Sequence, residues 1–186
     1  MRGIKLIEKQ VVPPVDIQNE DGSVKRPKKR LIVYMHGTRS RLYLKARFLK
    51  RIVSAFKCEV IAFALRGFSQ SDGKDPTEKG IQKDVMAIAE YINQIKGDYD
   101  EVILWGKSFG GATSIYMAAN TDIKFKHIIL ESAYTSMKEV IKNYLPCKLG
   151  LLFSFHFKGS WVNIDIIDRV NAPILFVTGT KDKLVP

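Results

Sequence analysis

The chain alternates short, continuous apolar runs with segments of helical periodicity, and that alternation limits the folds open to it. Leu31–Met35, Val60–Leu65 and Val102–Gly106 are apolar throughout and fit strands buried on both faces. His127–Glu131 and Pro173–Gly179 continue the series. Between the first two runs, Leu42–Lys57 places Leu44, Phe48, Leu49, Ile52, Val53 and Phe56 on one helical face. A second helix is predicted from Pro76 and Thr77, carrying Ile81, Val85, Met86, Ile88, Ala89, Ile92 and Ile95 and stopping at Gly97. A third, built of small residues, is predicted over Gly111–Ala119. Strand and helix in turn imply an α/β fold with a mostly parallel sheet flanked by helices on both faces. A chain of 186 residues is long enough for one such domain, expected to span 1–186.

Two regions break the rhythm. Ile4–Val12 reads as an edge strand or hairpin arm before Pro13-Pro14 and a turn at Glu20–Ser23. Between the fourth and fifth strands lie about forty residues, more than one crossover helix needs. They read as a short lid at about 134–168, with a helix over Ser136–Leu145 and an apolar, aromatic run over Leu149–Phe157. That run suits a lid lining an acyl pocket or touching membrane, and equally a crossover packed on the sheet edge.

The third strand runs directly into Lys107-Ser108-Phe109-Gly110-Gly111. Gly-x-Ser-x-Gly between a strand and a helix is the nucleophile-elbow signature. Gly106 and Gly110 let strand and helix approach closely while the hydroxyl stands clear of the sheet. A serine hydroxyl is a weak nucleophile and needs a base. His127 precedes its strand and so lies at the far edge of the sheet, roughly 15 Å from Ser108. His156 sits in the lid. His36 ends the first buried strand, on the same edge as Ser108.

The formal charge of +11 is high. Its densest stretch is Lys25-Arg26-Pro27-Lys28-Lys29-Arg30, readable as a nuclear-import or membrane-surface patch, or as a solvated loop entering a strand. No aromatic residues interleave with these charges, so no nucleic-acid partner is expected. Cys58 and Cys147 read as free thiols in a reducing compartment. No stretch reads as a transmembrane span or a signal peptide, and a cytoplasmic or peripheral-membrane location is expected. No metal or organic cofactor is implied.

Taken in order, the strand leading to His36-Gly37, Leu65-Arg66-Gly67-Phe68-Ser69-Gln70-Ser71, Gly106–Gly111 and Pro173–Pro186 resemble the α/β-hydrolase superfamily over residues 30–186. Glu131–Ser136 and the short lid resemble the subgroup of small serine hydrolases that includes depalmitoylases and related esterases. The resemblance implies that Ser108 is the nucleophile. It implies an oxyanion hole formed by the backbone N–H groups of Phe109 and Thr38, with His36 and Gly37 shaping that loop. Asp182 matches the acid that orients the catalytic histidine, with Glu131 as the alternative acid and His36 as a substitute base. Arg66 is expected to brace loops rather than bind substrate.

In this family the histidine follows the acid, yet the sequence ends four residues past Asp182. The last apolar strand would also present an exposed edge, which natural sheets avoid. Both points lead to the expectation of a C-terminally truncated hydrolase without its histidine. In another serine hydrolase such a loss costs on the order of 10⁶ in turnover. The function expected is a serine hydrolase cleaving ester or thioester bonds of a small-molecule or lipid acyl substrate, with possible contact to an anionic membrane. The alternative is a non-catalytic, hydrolase-like binding module.

Overall fold

The computed structural model describes residues 5–10, 17–18, 24–25, 28–38, 42–69, 71, 76–144 and 161–182. His156, Cys147 and the run Leu149–Phe157 lie outside the described residues, as do Arg26 and Pro27 of the basic run.

Eight strands are described: β1 (Lys5–Gln10), β2 (Ile17–Gln18), β3 (Val24–Lys25), β4 (Arg30–Met35), β5 (Glu59–Ala64), β6 (Glu101–Lys107), β7 (His127–Glu131) and β8 (Ile174–Val177). Four helices accompany them: α1 (Ala46–Phe56), α2 (Glu78–Ile95), α3 (Phe109–Ala119) and α4 (Met137–Tyr144). The main sheet has six strands in the order β1-β5-β4-β6-β7-β8, and β2 and β3 form a separate ribbon. Strands β5, β4, β6, β7 and β8 are mutually parallel, whereas β1 is antiparallel to β5 with a register shift between Leu6 and Glu8. The expected α/β architecture is present, and the arm predicted over Ile4–Val12 is the antiparallel edge strand.

The central strand explains its own sequence. Leu31 to Met35 are at most 2% exposed, because β4 is covered on both faces. Leu31, Val33 and Met35 pack with Ile81, Val85 and Ile88 of α2 and with Ala112 and Ile115 of α3. Ile32 and Tyr34 face the other way, onto Leu49, Ile52 and Val53 of α1. Thr77 caps α2, its hydroxyl accepting from the Gly80 N–H at 3.2 Å.

Two expectations for the helices need correction. Leu44 and Phe56, counted into the buried stripe of the first helix, are 63% and 52% exposed. Leu44 lies in a 3-10 turn over Leu42–Lys45, whose tighter period takes it out of phase with the α-helix. Phe56 is the last helical residue, before Lys57 turns left-handed at φ +48°. Met86 is likewise 37% exposed.

The part of the basic run that is described is not a free patch. Lys28 and Arg30 both pair with Glu101, at 2.6 and 2.9 Å. Lys29 reaches Glu59 at 3.8 Å and stands over the Tyr99 ring at 4.7 Å. These residues tie the start of β4 to the start of β6.

Candidate active site

After β4 the chain turns through α1 to β5, and after β6 it turns through α3 to β7 on the other side. The two connections leave in opposite directions from adjacent strands. Open α/β sheets bind ligands at such a switch point, outside the carboxyl ends of the strands. His36, Gly37 and Thr38 follow β4 there, and Ser108 follows β6.

Ser108 has φ +52° and ψ −118°, a conformation that L residues rarely adopt. Hydrogen bonds hold it from both sides. Its N–H donates to the Glu131 carbonyl at 2.8 Å, and its carbonyl accepts from the Gly111 N–H at 2.8 Å. The two glycines meet a steric demand. A Cβ on Gly106 would stand 2.4 Å from the Gly110 carbonyl oxygen and from Ser114 Oγ, and one on Gly110 would stand 1.9 Å from the Met35 carbonyl oxygen. Helix α3 can therefore begin directly against the ends of β6 and β4. Phe109 opens α3, so its N–H is among the donors that a helix leaves without an intrahelical acceptor. Gly37 lies against the same turn: its Cβ position is 3.1 Å from the Lys107 carbonyl oxygen and 3.3 Å from Ser108 Cβ.

His36 is 3% exposed. Its Nδ1 lies 2.7 Å from the Gly37 carbonyl oxygen, its ring packs edge-to-face on Phe68, and its Nε2 is buried without a partner. Burial holds its pKa below the ordinary histidine value. Among the described residues no histidine nitrogen hydrogen-bonds Ser108 Oγ. His127 begins β7 opposite Ile103, at the far edge from Ser108, as expected from strand direction.

Asp182 stands at the carboxyl edge in a turn after β8, its N–H donating to the Gly179 carbonyl at 2.9 Å. Strand β8 lies two positions from β6, roughly 10 Å away by strand spacing. The Glu131 carboxylate is ion-paired with Lys107, the residue before Ser108. Arg66 binds Asp84 through Nε at 3.0 Å and Nη2 at 2.6 Å, and its backbone N–H adds a third bond at 2.9 Å. It is the expected brace, joining the loop after β5 to α2.

Sequence reasoning missed Trp161. Its ring packs edge-to-face on Phe109 at 5.2 Å and on Tyr116 at 6.0 Å, and its backbone N–H donates to the Glu78 carboxylate at 3.1 Å. Phe68 reaches Phe109 from the other side at 6.1 Å. An aromatic wall thus lines the start of α3. A rare tryptophan within the predicted lid was the available signal, but its φ of +46° was not. A groove of about 620 Å³ lies elsewhere, between Lys83, Met86 and Glu90 of α2 and Thr121 and Asp122 beyond α3, and carries no histidine, serine or cysteine. Among the described residues no three His, Cys, Asp or Glu side chains converge as a metal site, and no helix is long and apolar enough to cross a membrane.

Residues 31–148 match the family model described as the alpha/beta hydrolase fold. The chain is 28% identical over 153 residues to the alpha/beta hydrolase domain-containing protein WAV2 of Arabidopsis thaliana, covering 76% of this chain and 49% of that protein. A solved alpha-beta hydrolase from Vibrio vulnificus superposes with a TM-score of 0.73 at 22% identity, covering 83% of this chain and 58% of that one. Est1E from Butyrivibrio proteoclasticus, solved with ferulic acid bound, superposes with a TM-score of 0.69 at 18% identity, covering 98% and 78%. The chain spans about half the length of the curated relatives it matches.

Proposed function

This chain belongs to the α/β-hydrolase fold family, and from that premise we propose that it is a serine hydrolase of ester or thioester bonds with Ser108 as its nucleophile. The observation that carries the reading is the strained backbone of Ser108 at the strand-to-helix turn, between Gly37 and the first turn of α3. In the proposed mechanism Ser108 Oγ attacks the acyl carbonyl. The negative charge that develops on the carbonyl oxygen is met by the N–H groups of Phe109 and Thr38. Collapse of the tetrahedral intermediate breaks the ester or thioester bond. The alcohol or thiol leaves with the proton taken from Ser108, and water then releases the acyl group from Ser108 as the carboxylic acid.

Asp182 is assigned to orient the histidine that takes the Ser108 proton. His36 is engaged with Gly37 and His127 lies at the wrong edge, so among the described residues no histidine takes that part. Trp161, Phe68 and Phe109 favour an apolar acyl group, in keeping with the depalmitoylase-containing subgroup that the sequence resembles. A second reading, a non-catalytic binding module, draws on the absence of a histidine partner for Ser108 among the described residues.

A fluorophosphonate probe applied to the natural full-length product separates the two. Labelling that disappears in Ser108→Ala, at an unchanged melting temperature, is the expected result. Labelling that survives in Ser108→Ala means another nucleophile. No labelling and no acyl-ester hydrolysis by the wild type would establish the binding module.

A further inference from the structure

Among the described residues a dense row of unpaired positive charge lies on α1, whereas Lys28, Lys29 and Arg30 before β4 are paired. From His36 to Cys58 there is no Asp or Glu, while Arg39, Arg41, Lys45, Arg47, Lys50, Arg51 and Lys57 all fall there. Arg47, Lys50, Arg51 and Ser54 recur at intervals of three, one and three, which places them on one side of the helix. All four are exposed, as is Lys57. Leu49, Ile52 and Val53 hold the opposite side against the sheet. None of Arg47, Lys50, Arg51 and Lys57 pairs with a described carboxylate, whereas Lys28, Lys29 and Arg30 all do. Leu44 stands 63% exposed at the start of this basic row, whereas Phe56 follows Ile52 and Val53 at helical spacing and lies on the core side of the helix end.

We propose that the outer face of α1 docks on an anionic lipid bilayer. The charge complements acidic headgroups, at about fivefold in affinity for each Lys or Arg near the surface. Leu44 chooses between polyanions. On a nucleic-acid backbone it would gain nothing, whereas at a bilayer it enters the interface. The apolar side of α1 belongs to the core, so the helix lies flat as a charged contact with one shallow anchor and does not insert. Helix α1 follows β4 in the chain, so its Leu44 end lies toward the edge of the sheet that carries Ser108. The proposal stands without the hydrolase reading, because binding is measured without turnover.

The test is sedimentation with phosphatidylcholine vesicles, with and without phosphatidylserine, at low and high salt. Wild type is expected to bind the phosphatidylserine vesicles only, and to release as salt rises. The variant Arg47→Ala/Lys50→Ala/Arg51→Ala should bind about 100-fold more weakly. If it misfolds by circular dichroism, Arg47→Gln and Lys50→Gln singly should each cost about fivefold. Leu44→Ser should weaken binding about tenfold. Lys124→Ala/Lys126→Ala, at the opposite edge of the sheet, should bind as wild type. Equal binding to both vesicle types overturns the proposal, and so does equal loss in the Lys124/Lys126 control. Undiminished binding by Leu44→Ser would make the face a general polyanion surface and overturn the bilayer assignment.

Discussion

Gly110 has its position beside the end of β4 because nothing larger fits. A methyl group there would meet the Met35 carbonyl at 1.9 Å and the His36 carbonyl at 2.9 Å, and both are backbone atoms that cannot swing aside. Gly110→Ala should therefore cost more than about 3 kcal/mol, read as a lowered urea midpoint. Gly97 is the contrast. No atom lies within 4 Å of its Cβ position, so Gly97→Ala should be neutral or stabilise by up to about 1 kcal/mol. The need for small residues around Ser108 was legible in Gly106–Gly111, because the motif states a local steric requirement. The role of His36 was only half legible. The sequence placed it at the correct edge, but its burial against Phe68 depends on a neighbour far along the chain.

At the scale of elements, β4 and β6 are stitched at their amino ends by Glu101. Hydrogen bonds from Lys28 and then Arg30 hold its carboxyl down to about 2 from an ordinary 4.5. A carboxyl lowered in the folded state stabilises fully above its unfolded value and loses that contribution as pH falls through the folded value. Glu101→Gln should thus melt below wild type at neutral pH. The gap between the two melting curves should narrow from about pH 4.5 and close near pH 2. If the gap is the same at pH 3 and pH 7, the pairing is not what Glu101 contributes. The loop after β5 and helix α2 are joined by Arg66 and Asp84 in the same way. The Asp84 side chain is 6% exposed and accepts three hydrogen bonds, so Asp84→Ala should cost about 2–3 kcal/mol in chemical denaturation. Arg66→Lys should recover only part of the contact, because an ammonium cannot make the forked pair.

Across the whole molecule, the sheet is well covered at its centre and bare at one side. In β8, Leu175, Phe176 and Val177 are 57%, 56% and 44% exposed, and the strand pairs with β7. An exposed apolar edge strand is a template for further pairing. Leu175→Lys should slow aggregation of the 186-residue polypeptide, seen as a later onset of light scattering at equal concentration. An unchanged onset would place the sticky surface elsewhere. The order of strands and helices, the turn at Ser108 and the exposed apolar character of β8 were all determined by the sequence itself. Hydrophobic period and glycine spacing are written in consecutive residues. Only the tertiary structure decided that β4 sits centrally, that β1 pairs antiparallel with β5, and that Lys28 and Arg30 are spent on Glu101. It also decided that Trp161 closes on Phe109, and that Arg47, Lys50 and Arg51 of α1 pair with no described carboxylate. Each of these is a contact, or the lack of one, between residues distant in the chain, and no local period encodes it.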